Sequence, residues 1–230
     1  MGAQWKHKGK QANASARGAA YSKLTKAIII AAKAGADPAS NAKLRIAIEA
    51  AKKGSLPRDN IERAIKKGAG LLDGPVSYDS VTFEGFGPHR VPVIVECLTD
   101  NKNRTTPNIR FHFRGGLGAT GSVSWDFSHL GMIEASPPAG ADPEAAAIEA
   151  GAQDLEPADD GATRFFTEPT DLDAVTKALT AAGWNVTSAV LGWKAKNPVT
   201  LDEGARAEVE AWLGTLDEDD DVQHIYAALA

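Results

Sequence analysis

Cysteine is almost absent from this chain of 230 residues, in which Cys97 stands alone. A single cysteine excludes an internal disulfide and a cysteine-rich zinc site, and it suits a reducing compartment. Long apolar runs are missing as well. The longest, residues 27–32, is far shorter than the roughly 20 residues that a membrane helix needs. We therefore expect no membrane-spanning segment and a cytoplasmic location.

The common catalytic signatures are also missing. The sequence contains no H-E-x-x-H, no P-loop and no G-x-S-x-G. Residues 116–121, GLGATG, match the dinucleotide-binding pattern G-x-G-x-x-G. That motif requires a strand before the glycines and a helix directly after them, whereas a strand pattern follows here. We interpret GLGATG as a glycine-rich turn.

Cys97 is the other candidate for catalysis, with His89, His112 or His129 as its base. The surrounding VIVECL is typical of a buried strand, in which a thiol is an ordinary small apolar side chain. We therefore expect no enzymatic activity, no cofactor and no small-molecule substrate. An enzyme that uses Cys97 or the glycine-rich turn is the alternative from a different functional class.

Acidic residues are missing from the first 36 positions, which hold seven basic ones. Over the first 70 residues, fifteen Lys and Arg stand against four Asp and Glu, a charge of +11, while the remaining 160 residues carry −16. Lysine predominates over arginine, which argues against a transit peptide. A clustered positive region attracts polyanions, so nucleic acid is the expected partner.

The basic region predicts three helices. In the first, an apolar stripe at helical spacing directs Lys23 and Lys26 outward, and Gly35 ends the helix. The second begins at an N-cap, Asn41, and ends before Gly54. The third follows Pro57 and closes on basic residues, as the helix dipole favours. The apolar stripe of the first helix consists of Leu24, Ala27, Ile28 and Ala31.

Further along the chain the hydrophobic period shortens from about 3.6 to 2, which indicates strands. SPPAGADP at 136–143 suggests a linker or a point at which the chain passes from one domain to the next. A βαβ-like unit follows it. The acidic run DEDDD at 217–221 lacks the spacing and glycine of an EF-hand loop, so we interpret it as a solvated turn rather than a cation site. The predicted strands are 81–86, 91–98, 122–127, 131–135, 163–167, 184–193 and 222–229, and the predicted helices are 106–113, 143–152, 171–183 and 204–216.

Five segments, in order, carry a family resemblance: SLPRDNIERAIKKGAG, FEGFGP, VECLTDNKNRT, GSVSWDF and AIEAGAQDLE. They resemble hallmark stretches of the YebC/PmpR family of probable transcriptional regulators, which also includes mitochondrial translational activators of cytochrome oxidase. Residues 216–229 resemble the terminal segment of that family. At the N-terminus, MGAQWKHKGK departs from the family pattern A-G-H-S-K-W but keeps its aromatic and basic character.

The resemblance implies an α+β fold, in which an N-terminal three-helix basic bundle precedes two small α/β domains and the third domain is inserted into the second. The expected division assigns residues 1–73 to the basic helical domain with a flexible arm. Residues 74–134 and 203–230 form the central domain, and residues 135–202 form the inserted domain.

The resemblance also implies a non-enzymatic regulator that binds promoter DNA or structured RNA. The alternative is a ribosome-associated translational activator that relieves stalling at proline-rich sequences. Lysine-rich helices favour contacts with phosphates and with nucleic-acid shape over base reading. A protein partner for the acidic domains is left open. The expected nucleic-acid-binding residues are Trp5, Lys6, Lys8 and Lys10 on the arm, Lys23 and Lys26 on the first helix, and Arg58, Arg63, Lys66 and Lys67 on the third.

Overall fold

The computed structural model describes residues 14–72 and 77–230, within which it contains seven α-helices and seven β-strands. The helices are α1 (Ala14–Ala32), α2 (Ala42–Lys53), α3 (Arg58–Gly68), α4 (Lys102–Phe113), α5 (Pro143–Ala150), α6 (Leu172–Ala181) and α7 (Glu203–Asp217). The strands are β1 (Asp79–Phe86), β2 (Pro92–Thr99), β3 (Phe127–Ser136), β4 (Asp154–Pro157), β5 (Thr163–Thr167), β6 (Asn185–Ala195) and β7 (Val222–Ala227).

Helices α1, α2 and α3 form a bundle around one apolar core. The predicted N-cap of α2 is confirmed, since the side-chain oxygen of Asn41 accepts a hydrogen bond from the Leu44 N–H at 3.0 Å. The amide nitrogen of Asn41 also donates to the carbonyls of Ala31 and Gly35, both at 2.8 Å. One side chain therefore starts α2 and fixes it against the end of α1.

The buried side of α1 differs from the predicted stripe. Ala27 is exposed, whereas Ile29 and Lys26 are buried. Helix α1 lies between the rest of the bundle and the central domain, so it is covered on two sides rather than one. The prediction that Lys26 points outward is wrong, because the central domain covers that side of α1. The apolar spacing within α1 gave no sign of this second neighbour.

The central domain is built on a three-stranded antiparallel sheet of order β1-β2-β7. Helices α4 and α7 cover one face of it, and their apolar side chains meet those of β2 in a fully buried core that includes Val93, Ile109 and Leu213. The predicted helix at 106–113 is confirmed and begins four residues earlier, where Asn101 caps it. Strand β7 returns from the end of the chain to the sheet that β1 and β2 began.

A second antiparallel sheet has the order β4-β5-β3-β6. Ile133 and Phe165 face α5 and α6, while their neighbours Met132 and Phe166 face the first sheet. Strands β5 and β6 both pair with β3, so the connection through α6 crosses over β3. Because all of β3 belongs to this sheet, we propose that the inserted domain spans residues 127–195, with its first boundary ahead of the expected residue 135.

Two predictions in this region need correction. Residues 122–127 were expected to form a strand, but Ser124–Asp126 form a 3₁₀ turn and β3 starts at residue 127. The buried Glu84 carboxylate binds the backbone N–H groups of this turn, which removes them from strand pairing. Strand β4 was not predicted, because an edge strand of sequence DLEP has poor β-propensity.

Candidate nucleic-acid interface

The exposed face of α3 carries three cations. Arg63 and Lys66 are exposed and Lys67 is half-buried, on the side of α3 away from Ile61 and Ala64, which are buried in the bundle core. Positions 63, 66 and 67 are three and four residues apart, so their side chains emerge on the same side of the helix. The structure thus brings these three predicted residues together on one surface.

Local sequence explains why α3 presents this face. Pro57 precedes the helix, Asp59 lies in its first turn and the two lysines lie in its last turn, so the charges complement the helix dipole. Gly68 allows α3 to approach α1, since an added Cβ would clash with the Ile29 carbonyl oxygen. The last turn of α3 is thereby held against α1 while its lysines remain on the outer side.

Arg58 differs from the other three cations of α3 because a carboxylate partly neutralises its charge. The Nε of Arg58 lies 2.8 Å from a carboxylate oxygen of Glu62, one turn along the helix. Within residues 14–72 and 77–230, Arg63, Lys66 and Lys67 make no ion pair. These three therefore keep their charge available to an external anion.

Lys23 and Lys26 lie elsewhere, although both were predicted to join this surface. The Nζ of Lys23 lies 2.7 Å from Oδ1 of Asp217, at the end of α7. The Nζ of Lys26 donates to Oδ1 of Asp221 at 2.7 Å and to the carbonyls of Leu98 and Asp220 at 3.0 and 2.7 Å. These two lysines bind the bundle to the central domain.

Asp221 is the centre of this interdomain network. It is 3% exposed and accepts hydrogen bonds from Lys26, Arg104 and Thr105, all at 2.7 to 3.0 Å. Burial alone would raise the pKa of Asp221, but the hydrogen bonds from these donors outweigh it and lower the pKa to about 2. The interpretation of DEDDD as a solvated turn is therefore wrong for Asp221. The sequence offered one signal for this contact, namely that α1 is basic and the acidic run at 217–221 carries the opposite charge.

Trp5, Lys6, Lys8 and Lys10 lie outside the described residues. Their assignment to the nucleic-acid interface stays a prediction. At the end of the bundle opposite to Lys66 and Lys67, Lys52 and Lys53 are exposed where α2 ends, and the Nζ of Lys53 lies 4.0 Å from the exposed carboxylate of Asp160. Such a long surface contact contributes little and leaves Lys53 accessible.

The glycine-rich turn GLGATG packs on β1. The Phe86 N–H donates to the Gly116 carbonyl and the Gly118 N–H donates to the Glu84 carbonyl, and an added Cβ on Gly116 would clash with the Phe86 carbonyl. The turn follows α4 and leads to a 3₁₀ turn and β3, which is the reverse of the strand–turn–helix order that pyrophosphate binding requires. Close backbone packing accounts for these glycines.

Glu84 occupies the position that an anion would take beside this turn. Its carboxylate accepts hydrogen bonds from the N–H groups of Gly121, Val123 and Ser124 at 2.8 to 3.0 Å. Burial alone would raise the pKa of Glu84, yet these backbone donors outweigh it and lower the pKa below its ordinary value. The backbone donors of residues 121–124 are thus already used by the protein's own anion.

Cys97 is an interior residue of β2. It is 1% exposed, and burial raises the pKa of its thiol to about 12. At neutral pH it is a protonated thiol without solvent access, which is a poor nucleophile.

Within the described ranges no group of His, Cys, Asp and Glu is arranged to hold a metal ion. A search of the same residues finds no helix of the length and apolarity needed to cross a membrane.

Comparison with known proteins gives matches along the whole chain. A family model described as the TACO1/YebC protein N-terminal domain matches residues 2–71, and one described as the TACO1/YebC second and third domain matches residues 78–229. A "probable transcriptional regulatory protein" of Pseudomonas fluorescens is 61% identical over 100% of both chains. A protein of the same name from Polaromonas is 57% identical, again over 100% of both chains.

A solved structure confirms the predicted α+β fold. The crystal structure of a conserved hypothetical protein from Aquifex aeolicus superimposes with a TM-score of 0.80. It is 41% identical in sequence, and the match covers 99% of this chain and 96% of that one. Both the helical region and the sheets therefore belong to one known architecture.

Proposed function

The chain belongs to the TACO1/YebC family, and from this premise we propose that it regulates gene expression by binding nucleic-acid phosphates through the outer face of α3. Its relatives carry the name of probable transcriptional regulators. A regulator of this kind must reach a polyanion, and α3 presents cations that no carboxylate of the described residues neutralises.

The observation that carries the proposal is the contrast between this face and the rest of the chain. Residues 71–230 carry a charge of −16, which repels phosphates, while Arg63, Lys66 and Lys67 stand together on α3 and form no ion pair with any residue that the structure describes. A polyanion approaching the molecule is therefore drawn to the bundle. Arg58, partly neutralised by Glu62, lies at the start of the same helix.

The chemistry of the side chains favours phosphate and shape contacts. Lysine is a flexible point charge that binds phosphate without reading base edges, whereas base reading relies on Arg, Asn and Gln presented together on one helix. The exposed side of α3 offers two lysines and one arginine. We infer low sequence specificity and strong dependence of affinity on salt.

The experiment is a salt titration of affinity, with fluorescence anisotropy of a labelled DNA duplex and of a labelled RNA hairpin. Removing two phosphate contacts by Lys66→Gln with Lys67→Gln should reduce the magnitude of the log–log salt slope by about 2 on duplex DNA. Glutamine has nearly the helix propensity of lysine, so α3 should persist.

The matched control is Lys102→Gln with Lys177→Gln. These lysines are also exposed, but each is paired with a carboxylate on the acidic part of the chain. The control has the same net charge as the α3 variant, so it separates the effect of position from that of total charge. Equal losses in the two double variants, or an unchanged slope in the α3 variant, would refute the proposed face.

A second candidate is that the protein regulates gene expression by binding the ribosome. The lysine-rich face of α3 supports this candidate because contacts with phosphates and shape suit structured RNA. Sedimentation of cell lysate through a sucrose gradient tests it. Salt-sensitive co-migration with ribosomes that survives DNase, and that Lys66→Gln with Lys67→Gln abolishes, would make ribosomal RNA the target. Protein that stays at the top of the gradient would direct the search to promoter DNA.

A further inference from the structure

A cleft of about 930 Å³ opens on the central domain between the end of α4, the middle of α7 and the turn after β1. Phe111 lies at its edge with 75% of its surface exposed. Single exposed apolar residues are common and need no explanation. This one differs because of the charges around it. The residues that shape the cleft are Phe86, Arg90, Phe111, His112, Arg114 and Trp212.

The distribution of cations in the acidic part of the chain is uneven. Residues 77–230 contain ten Lys and Arg, and six of them lie within 4.0 Å of a carboxylate. Among the described residues, the four without such a partner are Arg90, Arg110, Arg114 and Lys196. Two of these four, Arg90 and Arg114, line the cleft together with Phe111, and Arg110 directly precedes Phe111 in α4.

The floor of the cleft is packed through several side-chain contacts. The indole N–H of Trp212 donates to the His112 carbonyl at 2.9 Å, and the indole packs edge-to-face on Phe113 with ring centroids 5.2 Å apart. Gly87 permits this packing, since an added Cβ would lie 2.6 Å from the indole ring. The Arg90 guanidinium lies 5.7 Å from the centroid of Phe86. The cleft is thus held in shape before any ligand arrives.

The backbone at two of the arginines is in an uncommon conformation. Arg90 and Arg114 have φ of +58° and +44°, in the left-handed region that non-glycine residues seldom adopt. Arg114 adopts it as the residue that ends α4, and strained backbone of this kind concentrates at functional sites. In the same turn after β1, the ring of His89 lies 2.8 Å from a carboxylate oxygen of Glu208.

We propose that this cleft is a second nucleic-acid site, which takes an unpaired nucleotide with its base stacked on Phe111 and its phosphate held by Arg90 and Arg114. An exposed aromatic ring can stack only on a base that is free of its own duplex. The guanidinium fork matches phosphate geometry better than an ammonium does. This inference depends on the proposed function only for the class of ligand.

The test is binding of a fluorescein-labelled single-stranded oligothymidylate of about ten residues to the full chain, followed by anisotropy. Because Phe111 is exposed, its replacement should not affect folding. We expect Phe111→Ala to weaken single-strand affinity by about tenfold and Phe111→Trp to keep it, since stacking depends on the ring. Duplex affinity should not change.

Three comparisons make the test decisive. Ile148→Ala removes an equally exposed apolar side chain from α5 and should leave affinity unchanged. Phe111→Leu keeps apolar area without a ring and should weaken single-strand binding. Arg90→Gln with Arg114→Gln should reduce the single-strand salt slope by about 1.4.

Several outcomes would overturn the proposal. Wild-type single-strand affinity in Phe111→Ala would do so, as would wild-type affinity in Phe111→Leu, which would indicate a plain apolar contact. Displacement of the oligonucleotide by polyglutamate at equal charge concentration would assign the cleft to an acidic peptide. Loss of a dimer in Phe111→Ala, with no change in oligonucleotide binding, would assign it to a second copy of the chain.

The failure of this proposal is distinguishable from that of the α3 proposal. If Lys66→Gln with Lys67→Gln leaves duplex binding unchanged while Phe111→Ala weakens single-strand binding, the α3 face is wrong and the cleft stands. If the lysine variant weakens duplex binding and Phe111→Ala changes neither ligand, the cleft alone is wrong.

Discussion

Replacement of Asp221 by asparagine should release the basic bundle from the central domain. In the native protein this carboxylate faces two cations, Lys26 at 2.7 Å and Arg104 at 2.8 Å, and accepts a third hydrogen bond from Thr105. Asparagine keeps the size of the side chain but leaves two cations, one of them buried, against a neutral amide. The side chains of Lys26 and Asp221 are 11% and 4% exposed, so water does little to compensate.

The magnitude follows from the pKa and from the burial. A pKa lowered from 3.8 to about 2 corresponds to about 2 kcal/mol in favour of the carboxylate in the folded state. Breaking a buried ion pair by removing one partner costs about 3 to 5 kcal/mol. Because the amide oxygen of asparagine can still accept one hydrogen bond, we expect Asp221→Asn to lower the free energy of unfolding by about 2 to 4 kcal/mol at pH 7.

Urea unfolding with two probes is the assay. Four of the five tryptophans lie in residues 77–230, outside the bundle, so tryptophan fluorescence reports mainly on the sheet domains, whereas far-UV circular dichroism also reports on the bundle helices. The matched control is Asp220→Asn, which removes the same charge from an exposed neighbour whose backbone carbonyl still accepts from Lys26. It should stay within about 0.5 kcal/mol of wild type.

The dependence on pH gives an independent check. Since folding depresses the pKa of Asp221, its contribution is fully present above about pH 4 and is lost as the pH falls through about 2. The stability difference between wild type and Asp221→Asn should therefore shrink between pH 4 and pH 2. A difference that stays constant over this window, or an equal loss in Asp220→Asn, would refute the assignment of Asp221 as the interdomain contact.

Two further predictions concern packing and reactivity. Gly68→Ala should destabilise the bundle by more than about 1 kcal/mol in thermal unfolding, because its Cβ would clash with Ile29, whereas Gly18→Ala on an open side of α1 should stabilise it by about 0.5 to 1 kcal/mol. The two substitutions should change the stability in opposite directions, and destabilisation by both would contradict the packing of α3 on α1. Cys97, buried and with its thiol pKa raised, should resist Ellman's reagent at pH 8 until urea unfolds the central domain, and rapid labelling of native protein would show that β2 is accessible.

Local signals in the sequence predicted the elements whose stabilising contacts are close along the chain. The cap of α2 needs only Asn41 and Leu44, three residues apart, and α3 needs only its apolar spacing, a preceding proline and basic residues in its last turn. The outward cations Arg63, Lys66 and Lys67 follow from the same spacing. The N-cap, the limits of these helices and this basic face were therefore predictable from short stretches of sequence alone.

Contacts between distant segments were not predictable in this way. Lys26 has the spacing of an outward residue, yet it binds Asp221, 195 positions away, and so belongs to an interdomain contact instead of the basic face. Residues 122–127 have the pattern of a strand, but Glu84, about 40 positions earlier, binds their backbone donors.

The charge of each segment follows directly from its composition. The limits of α2 and α3 and the basic face of α3 depend on neighbours within one or two helical turns, so the amino-acid order was sufficient to establish them. The partners of Lys26, the turn beside Glu84 and the arginines gathered around Phe111 depend on which distant segments the fold places side by side. Short-range spacing contains no record of those neighbours, so they became visible only in three dimensions.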